Sequence, residues 1–115
     1  MCLLETAAQA LVDTASGREL LSGVASSKGT VQDKTTPMEA RIMGEASMAA
    51  CGMSIPEINR IVDNIVSRYE GNYLHPPTGK RFQECYNIHD LVPSDEYLET
   101  YDSALRILSD CGIDF

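Results

Sequence analysis

A seven-residue apolar run, Leu20-Leu21-Ser22-Gly23-Val24-Ala25-Ser26, sits between two amphipathic helical patterns and constrains the fold more than any other feature of the chain. Gly17 precedes it and Ser27-Lys28-Gly29 follows. The run is too short for a self-supporting helix and has the length of a buried strand, although periodicity alone does not separate the two. A single strand leaves both rows of backbone donors and acceptors unpaired, so a strand here predicts partner strands outside this sequence.

The segments around that run read as helices. Leu3, Leu4, Ala7, Ala8, Leu11 and Val12 recur at helical spacing, and Gly17 supplies a left-handed stop. No capping residue precedes this pattern, which predicts that the natural chain continues upstream of Met1. Thr36-Pro37-Met38-Glu39 is a capping box with proline at the first helical position. Behind it Met38, Ile42, Met43, Ala46, Ala49 and Ala50 form an apolar stripe that Gly52 closes. Ser54-Ile55-Pro56-Glu57 repeats the cap chemistry before Ile58, Ile61, Val62, Ile65, Val66 and Tyr69, with Gly71 as the stop. Residues 72–79 read as a surface loop, Phe82 to Tyr86 as one short turn, and the stretch through Pro93 as another loop. A last helix starts at Ser94, turns Leu98, Tyr101, Ala104, Leu105 and Leu108 inward, and ends at Gly112.

Charge and cysteine usage narrow the function classes. Nine Lys and Arg against seventeen Asp and Glu leave 115 residues with a net charge of −8. A surface of that sign repels phosphate backbones and anionic lipid, so no nucleic-acid and no membrane partner is expected. No apolar run reaches the ~18 residues that span a bilayer. The first charge, Glu5, is not the basic start of a signal peptide, which predicts a cytoplasmic protein. Cys2, Cys51, Cys85 and Cys111 are far apart and form no close-spaced pair, so free thiols are expected rather than a disulfide framework or a zinc site. With apolar residues at 43%, a packed core is expected.

No P-loop, dinucleotide fingerprint, zinc-protease or nucleophile-elbow motif is present. His75 lies beside two prolines as a loop residue, and Glu39 is accounted for as half of a capping box. The methionines at 38, 43, 48 and 53 could in principle hold a soft metal, but at this spacing core packing accounts for Met38 and Met43, and no metal ligand is assigned. The stretch from Ser26 to Thr36 stands apart. A polar loop between a strand and a helix start has the layout of a βα loop, the element that builds ligand sites at the carboxyl ends of strands in α/β enzymes. Ser26, Lys28, Asp33 and Lys34 are therefore the candidate binding residues, and the backbone donors at the helix start could hold an anion. A plain polar connection is the alternative.

At these same residues the sequence resembles a known family. Met1-Cys-Leu-Leu-Glu, Asp13-Thr-Ala-Ser-Gly-Arg-Glu, Leu21-Ser-Gly-Val-Ala-Ser, Asp33-Lys-Thr-Thr, Met38-Glu-Ala-Arg and Phe82-Gln-Glu-Cys-Tyr are similar to the carboxyl-terminal part of monomethylamine methyltransferases. Tyr101-Asp-Ser-Ala and the ending Gly112 to Phe115 fit as well. The resemblance implies an α/β chain that is the C-terminal part of a (β/α)8 TIM barrel, mostly helical by itself, with about four helices and one short strand. It implies that residues 1–71 are the last βα portion and residues 72–115 a loop and helix extension. Family members are homo-oligomeric cytoplasmic proteins of methanogenic archaea, where methanogenesis starts from methylamine. They move the methyl group of monomethylamine to the Co(I) corrinoid of a cognate corrinoid protein. The corrinoid cofactor is carried by that partner, so none is expected on this chain. The family's pyrrolysine and the acidic and amide side chains around it match no position here, so no catalytic residue is assigned and the fragment is expected to be inactive alone.

Two other readings stay open at this point: a fragment of a di- or trimethylamine methyltransferase, and an autonomous helical adaptor whose apolar stripes bind a partner.

Overall fold

The computed structural model describes residues 1–21, 23 and 26–115, the side chains of Ser27 and Lys28 excepted. Its described elements are α1 (Cys2–Ala15), α2 (Pro37–Ala50), α3 (Ile55–Ser67), a four-residue α4 (Phe82–Cys85), β1 (Tyr86–Asn87), β2 (Val92–Pro93) and α5 (Asp95–Asp110). Single 3-10 turns at Ser26–Gly29 and Glu70–Asn72 complete the order.

Helices form where local chemistry and burial agree. Thr36 caps α2 as its sequence predicts: its side chain accepts from Met38 N while Glu39 reaches back to Thr36 N at 2.7 Å. Ser54 caps α3 through Glu57 N at 3.4 Å, and Ser94 caps α5 through Tyr97 N at 3.2 Å. Met1 gives α1 no side-chain cap. At the other end of α1, Gly17 takes a left-handed φ of 78°, which lets Arg18 N reach Asp13 O at 3.1 Å.

The core is where α1 packs on α2 and α3, with α5 closing one side. Leu11, Ile42, Ile61, Ile65 and Leu108 are fully buried there. The inward stripes of α1, α2, α3 and α5 are close to those the periodicity predicts. Two positions differ: Val12 is 44% exposed and Leu98 is 39% exposed, each at the edge of its stripe. Helix α3 also stops earlier than expected. It ends at Ser67, and Gly71 lies inside the 3-10 turn that follows rather than at the helix stop.

The strand expected over Leu20–Ser26 falls partly on residues 22, 24 and 25, outside the described residues. Of the remainder, Leu20 is 83% exposed and Ser26 opens a 3-10 turn, so the run is not a buried strand at its two ends. Among the described residues no strand pairs with this run. The ladder among the described residues is elsewhere, in a stretch expected to be loop. Tyr86 pairs with Pro93 and Asn87 with Val92, antiparallel. Asn87 Oδ1 accepts from His89 N at 2.9 Å inside the connecting turn, and Leu91 takes a φ of 55° to close it.

Candidate functional site

The loop that carries the candidate residues borders a cavity of about 510 Å3. The first turn of α1, Thr36 and Glu39 of α2, Tyr97 and Thr100 of α5, and the extended segment 76–80 form its walls. Ser26 and Lys34 line it, so two of the four candidates are brought together. Ser26 N also donates to Thr35 Oγ1 at 3.2 Å, which folds the loop onto itself. Asp33 is exposed, in a left-handed conformation (φ 59°), and accepts from Gln83 Nε2 at 3.0 Å and, through its carbonyl, from Phe82 N at 2.6 Å. The Lys28 side chain lies outside the described residues.

A buried polar relay forms one wall. Glu39, only 6% exposed, accepts from the Thr36 hydroxyl at 2.6 Å. A hydroxyl has one proton to give, so the 2.6 Å contact between Thr36 Oγ1 and Tyr97 Oη has the phenol as donor. The chain of donation runs from Tyr97 to Thr36 to the Glu39 carboxylate. Burial, with the Glu39 charge adding to it, holds the Tyr97 phenol well above the usual tyrosine range, so it stays protonated and able to donate. Burial and Glu39 also push the Cys2 and Cys85 thiols up. Thiols raised in this way are not thiolates near neutral pH and are poor nucleophiles. This wall is thus a set of neutral donors around one hydrogen-bonded carboxylate, suited to positioning rather than to bond-making.

The helix start cannot also serve an outside anion through the same donors. Thr36 N is taken by Glu39 and Met38 N by the Thr36 side chain, and Pro37 has no N–H to offer. Sequence reasoning missed Tyr97, Cys2, Cys85 and the segment 76–80 as parts of this site. Tyr97 was legible only as a residue near the start of α5, and its partner Thr36 is 61 positions away. Among the described residues no three His, Cys, Asp or Glu side chains are grouped to hold a metal ion. Nor is any described helix long and apolar enough to cross a membrane.

A second, open depression of about 820 Å3 lies on the outer side of α2. Ala40, Gly44 and Met48 line it one helical turn apart, with Leu105 and Phe115 opposite. Met48 is 76% exposed. At its margin Arg41 pairs with Glu45 at 2.7 Å, and Tyr101 Oη donates to the same carboxylate at 2.8 Å beneath the guanidinium. Helix α2 is therefore apolar on two opposite sides.

Comparison with known proteins covers the chain from end to end. The sequence model of the family described as monomethylamine methyltransferase MtmB matches residues 1–113. The chain is 56% identical over 115 residues to monomethylamine methyltransferase MtmB1 of Methanosarcina acetivorans and to MtmB2 of Methanosarcina barkeri, and 55% identical to MtmB of Methanosarcina mazei. It covers 100% of its own length and 25% of each relative. The crystal structure of the Methanosarcina barkeri enzyme, a TIM-barrel protein, superposes with a TM-score of 0.96, again over 25% of that chain. A crystal structure of a hydroxylamine complex of MtmB matches equally well.

Proposed function

This chain belongs to the monomethylamine methyltransferase family, and from that premise we propose that it contributes the last βα portion and C-terminal extension of an enzyme that moves methyl groups from monomethylamine to a corrinoid protein. Residues 1–71 are the barrel portion and residues 72–115 the extension. One observation carries the reading: a TM-score of 0.96 with an unbroken match at 56% identity. Helix α2 supports it, because a helix apolar on opposite sides is a helix meant to be covered on both. The hydroxylamine bound by the relative is a small amine-type ligand, in keeping with a methylamine site.

The chain spans a quarter of the length of the relatives it matches. The methyl-transfer chemistry is assigned to the rest of the barrel, and this portion to rim and support. A neutral amine is a poor leaving group, so the site must activate the methyl donor and exclude water from a strongly nucleophilic acceptor. When the partner is bound, its Co(I) corrinoid supplies that acceptor. No residue of this chain is assigned to hold it. We assign Ser26, Lys28 and Lys34 to the loop at the barrel mouth; in support, Ser26 and Lys34 line one cavity and Asp33 ties the loop to Gln83. The enzyme acts as a cytoplasmic homo-oligomer.

The test is a chimera in which this chain replaces the matching quarter of the Methanosarcina barkeri enzyme. Monomethylamine-dependent methylation of the corrinoid protein should persist, and Lys28→Ala with Lys34→Ala should raise the KM for that protein. A folded chimera unable to methylate it overturns the proposal.

A further inference from the structure

The segment 76–80 lies across the 510 Å3 cavity with neither helix nor strand to hold it, yet it is fastened on both sides. Lys34 Nζ donates to the Gly79 carbonyl, and Lys80 pairs with Glu96 on the first turn of α5. Just beyond, Phe82 N donates to the Asp33 carbonyl at 2.6 Å and Gln83 to the Asp33 carboxylate at 3.0 Å. One of these ties is an exposed ion pair, one is an ammonium hydrogen bond to a neutral carbonyl, and two are hydrogen bonds to a residue held in a left-handed turn. Residues 73–80 are all exposed, with Tyr73 at 74% and Leu74 at 79%. Beneath them, Cys85 is 2% exposed.

We propose that residues 76–80 are a strap over this cavity, latched by Lys34 and Lys80, and that its opening admits small molecules to the wall formed by Cys2, Thr36, Glu39, Cys85 and Tyr97. The inference stands on this chain's own geometry and does not depend on the methyltransferase reading. Pro76 and Pro77 stiffen the strap, so it swings rather than crumples. Gly79 places a carbonyl where the lysine can reach it. Because Lys34 also belongs to the candidate loop, an occupant that takes up the Lys34 ammonium releases one latch, and a closed strap withholds that ammonium. Access to the cavity and engagement of the loop are thus one equilibrium. The Lys80–Glu96 ion pair weakens with ionic strength, whereas a wall held by apolar packing does not.

The four free cysteines report on this directly. Cys2 and Cys85 line the cavity, Cys51 is exposed, and Cys111 is buried in the core at 1% exposure. The experiment follows site-resolved alkylation by a small maleimide, read by mass spectrometry on the 115-residue chain. Lys34→Met should speed modification of Cys2 and Cys85 by about threefold or more, the scale of a released surface latch, and leave Cys51 and Cys111 unchanged. Raising the salt concentration, which screens the Lys80–Glu96 pair, should speed the same two cysteines in the unaltered chain and in the variant alike. Parallel acceleration at Cys111 would mean global opening and overturns the strap. So do rates at Cys2 and Cys85 that respond to neither the variant nor salt. Should Lys34→Met fail to fold, Glu96→Gln releases the other latch; it should speed the same two cysteines, leave Cys51 and Cys111 unchanged and lose the salt response.

Discussion

Replacing Thr36 by valine removes one hydroxyl and disturbs three partners at once, which makes it a sharp test of the relay beside α2. Valine keeps the shape, so cavity formation contributes little. Loss of the helix cap costs about 1 kcal/mol. The Glu39 carboxylate, at 6% exposure, loses one of two close donors, and the Tyr97 phenol loses its acceptor. A buried polar group left unpaired costs about 1–3 kcal/mol. The sum, discounted for the Thr36 N to Glu39 bond that survives, is about 2–4 kcal/mol of folding stability. Ser54→Ala serves as the reference, since it removes an exposed cap with no further partner among its hydrogen bonds and should cost about 1 kcal/mol. Urea unfolding followed by far-ultraviolet circular dichroism measures both. Thr36→Ser should recover most of the loss. In a double-mutant cycle, Thr36→Val and Tyr97→Phe should couple by about 0.5 kcal/mol or more. If Thr36→Val costs no more than Ser54→Ala, or the cycle shows no coupling, the relay does not contribute as argued.

Four further outcomes follow from the same geometry. Gly112 has a φ of 114° and a Cβ there would meet Ile61 Cγ1 at 3.3 Å, so Gly112→Ala should cost about 1–3 kcal/mol. Gly44→Ala, mid-helix with open space around it, should stabilise by about 0.5–1 kcal/mol, both read from urea midpoints. Ile61→Ala, at a fully buried site, should cost about 2–5 kcal/mol and lower the thermal midpoint. Tyr97 and Tyr101 both have phenols raised by burial, with Glu39 adding at Tyr97 and the Glu45 hydrogen bond at Tyr101. A raised acid is neutral in both states below the unfolded value of about 10 and is more costly to ionise when folded. Stability should therefore be insensitive to these groups below about pH 10 and fall above it. Tyr97→Phe with Tyr101→Phe should flatten that fall in thermal melts, and an unchanged alkaline slope would refute the assignment.

The capped helices were legible because their determinants are local. Thr36 with Glu39, and Ser54 and Ser94 with the donors three residues on, operate within one turn, so sequence spacing carries the whole signal. The β1–β2 ladder was not legible. It depends on the Asn87 turn and on a left-handed Leu91, which no residue preference demands. The relay joins Thr36 to Tyr97 across 61 positions and the strap joins Lys34 to Gly79 across 45, distances that only tertiary packing resolves. The apolar run at Leu20–Ser26 reads as a strand only with neighbours outside this sequence; Leu20 stands 83% exposed, and residues 22, 24 and 25 lie outside the described residues. Family resemblance was legible for a different reason: several unrelated short stretches had to agree at once, and the end-to-end match at 56% identity bears this out.

The decisive measurement is methyl transfer from monomethylamine to the corrinoid protein by this chain, by a polypeptide carrying the first three quarters of a Methanosarcina relative, and by the two together. Neither should act alone, and the mixture should recover transfer as the 115-residue chain completes the barrel. Transfer by the short chain unaided, or a mixture in which the two polypeptides never associate, would contradict the assignment of this chain as the closing portion of that enzyme.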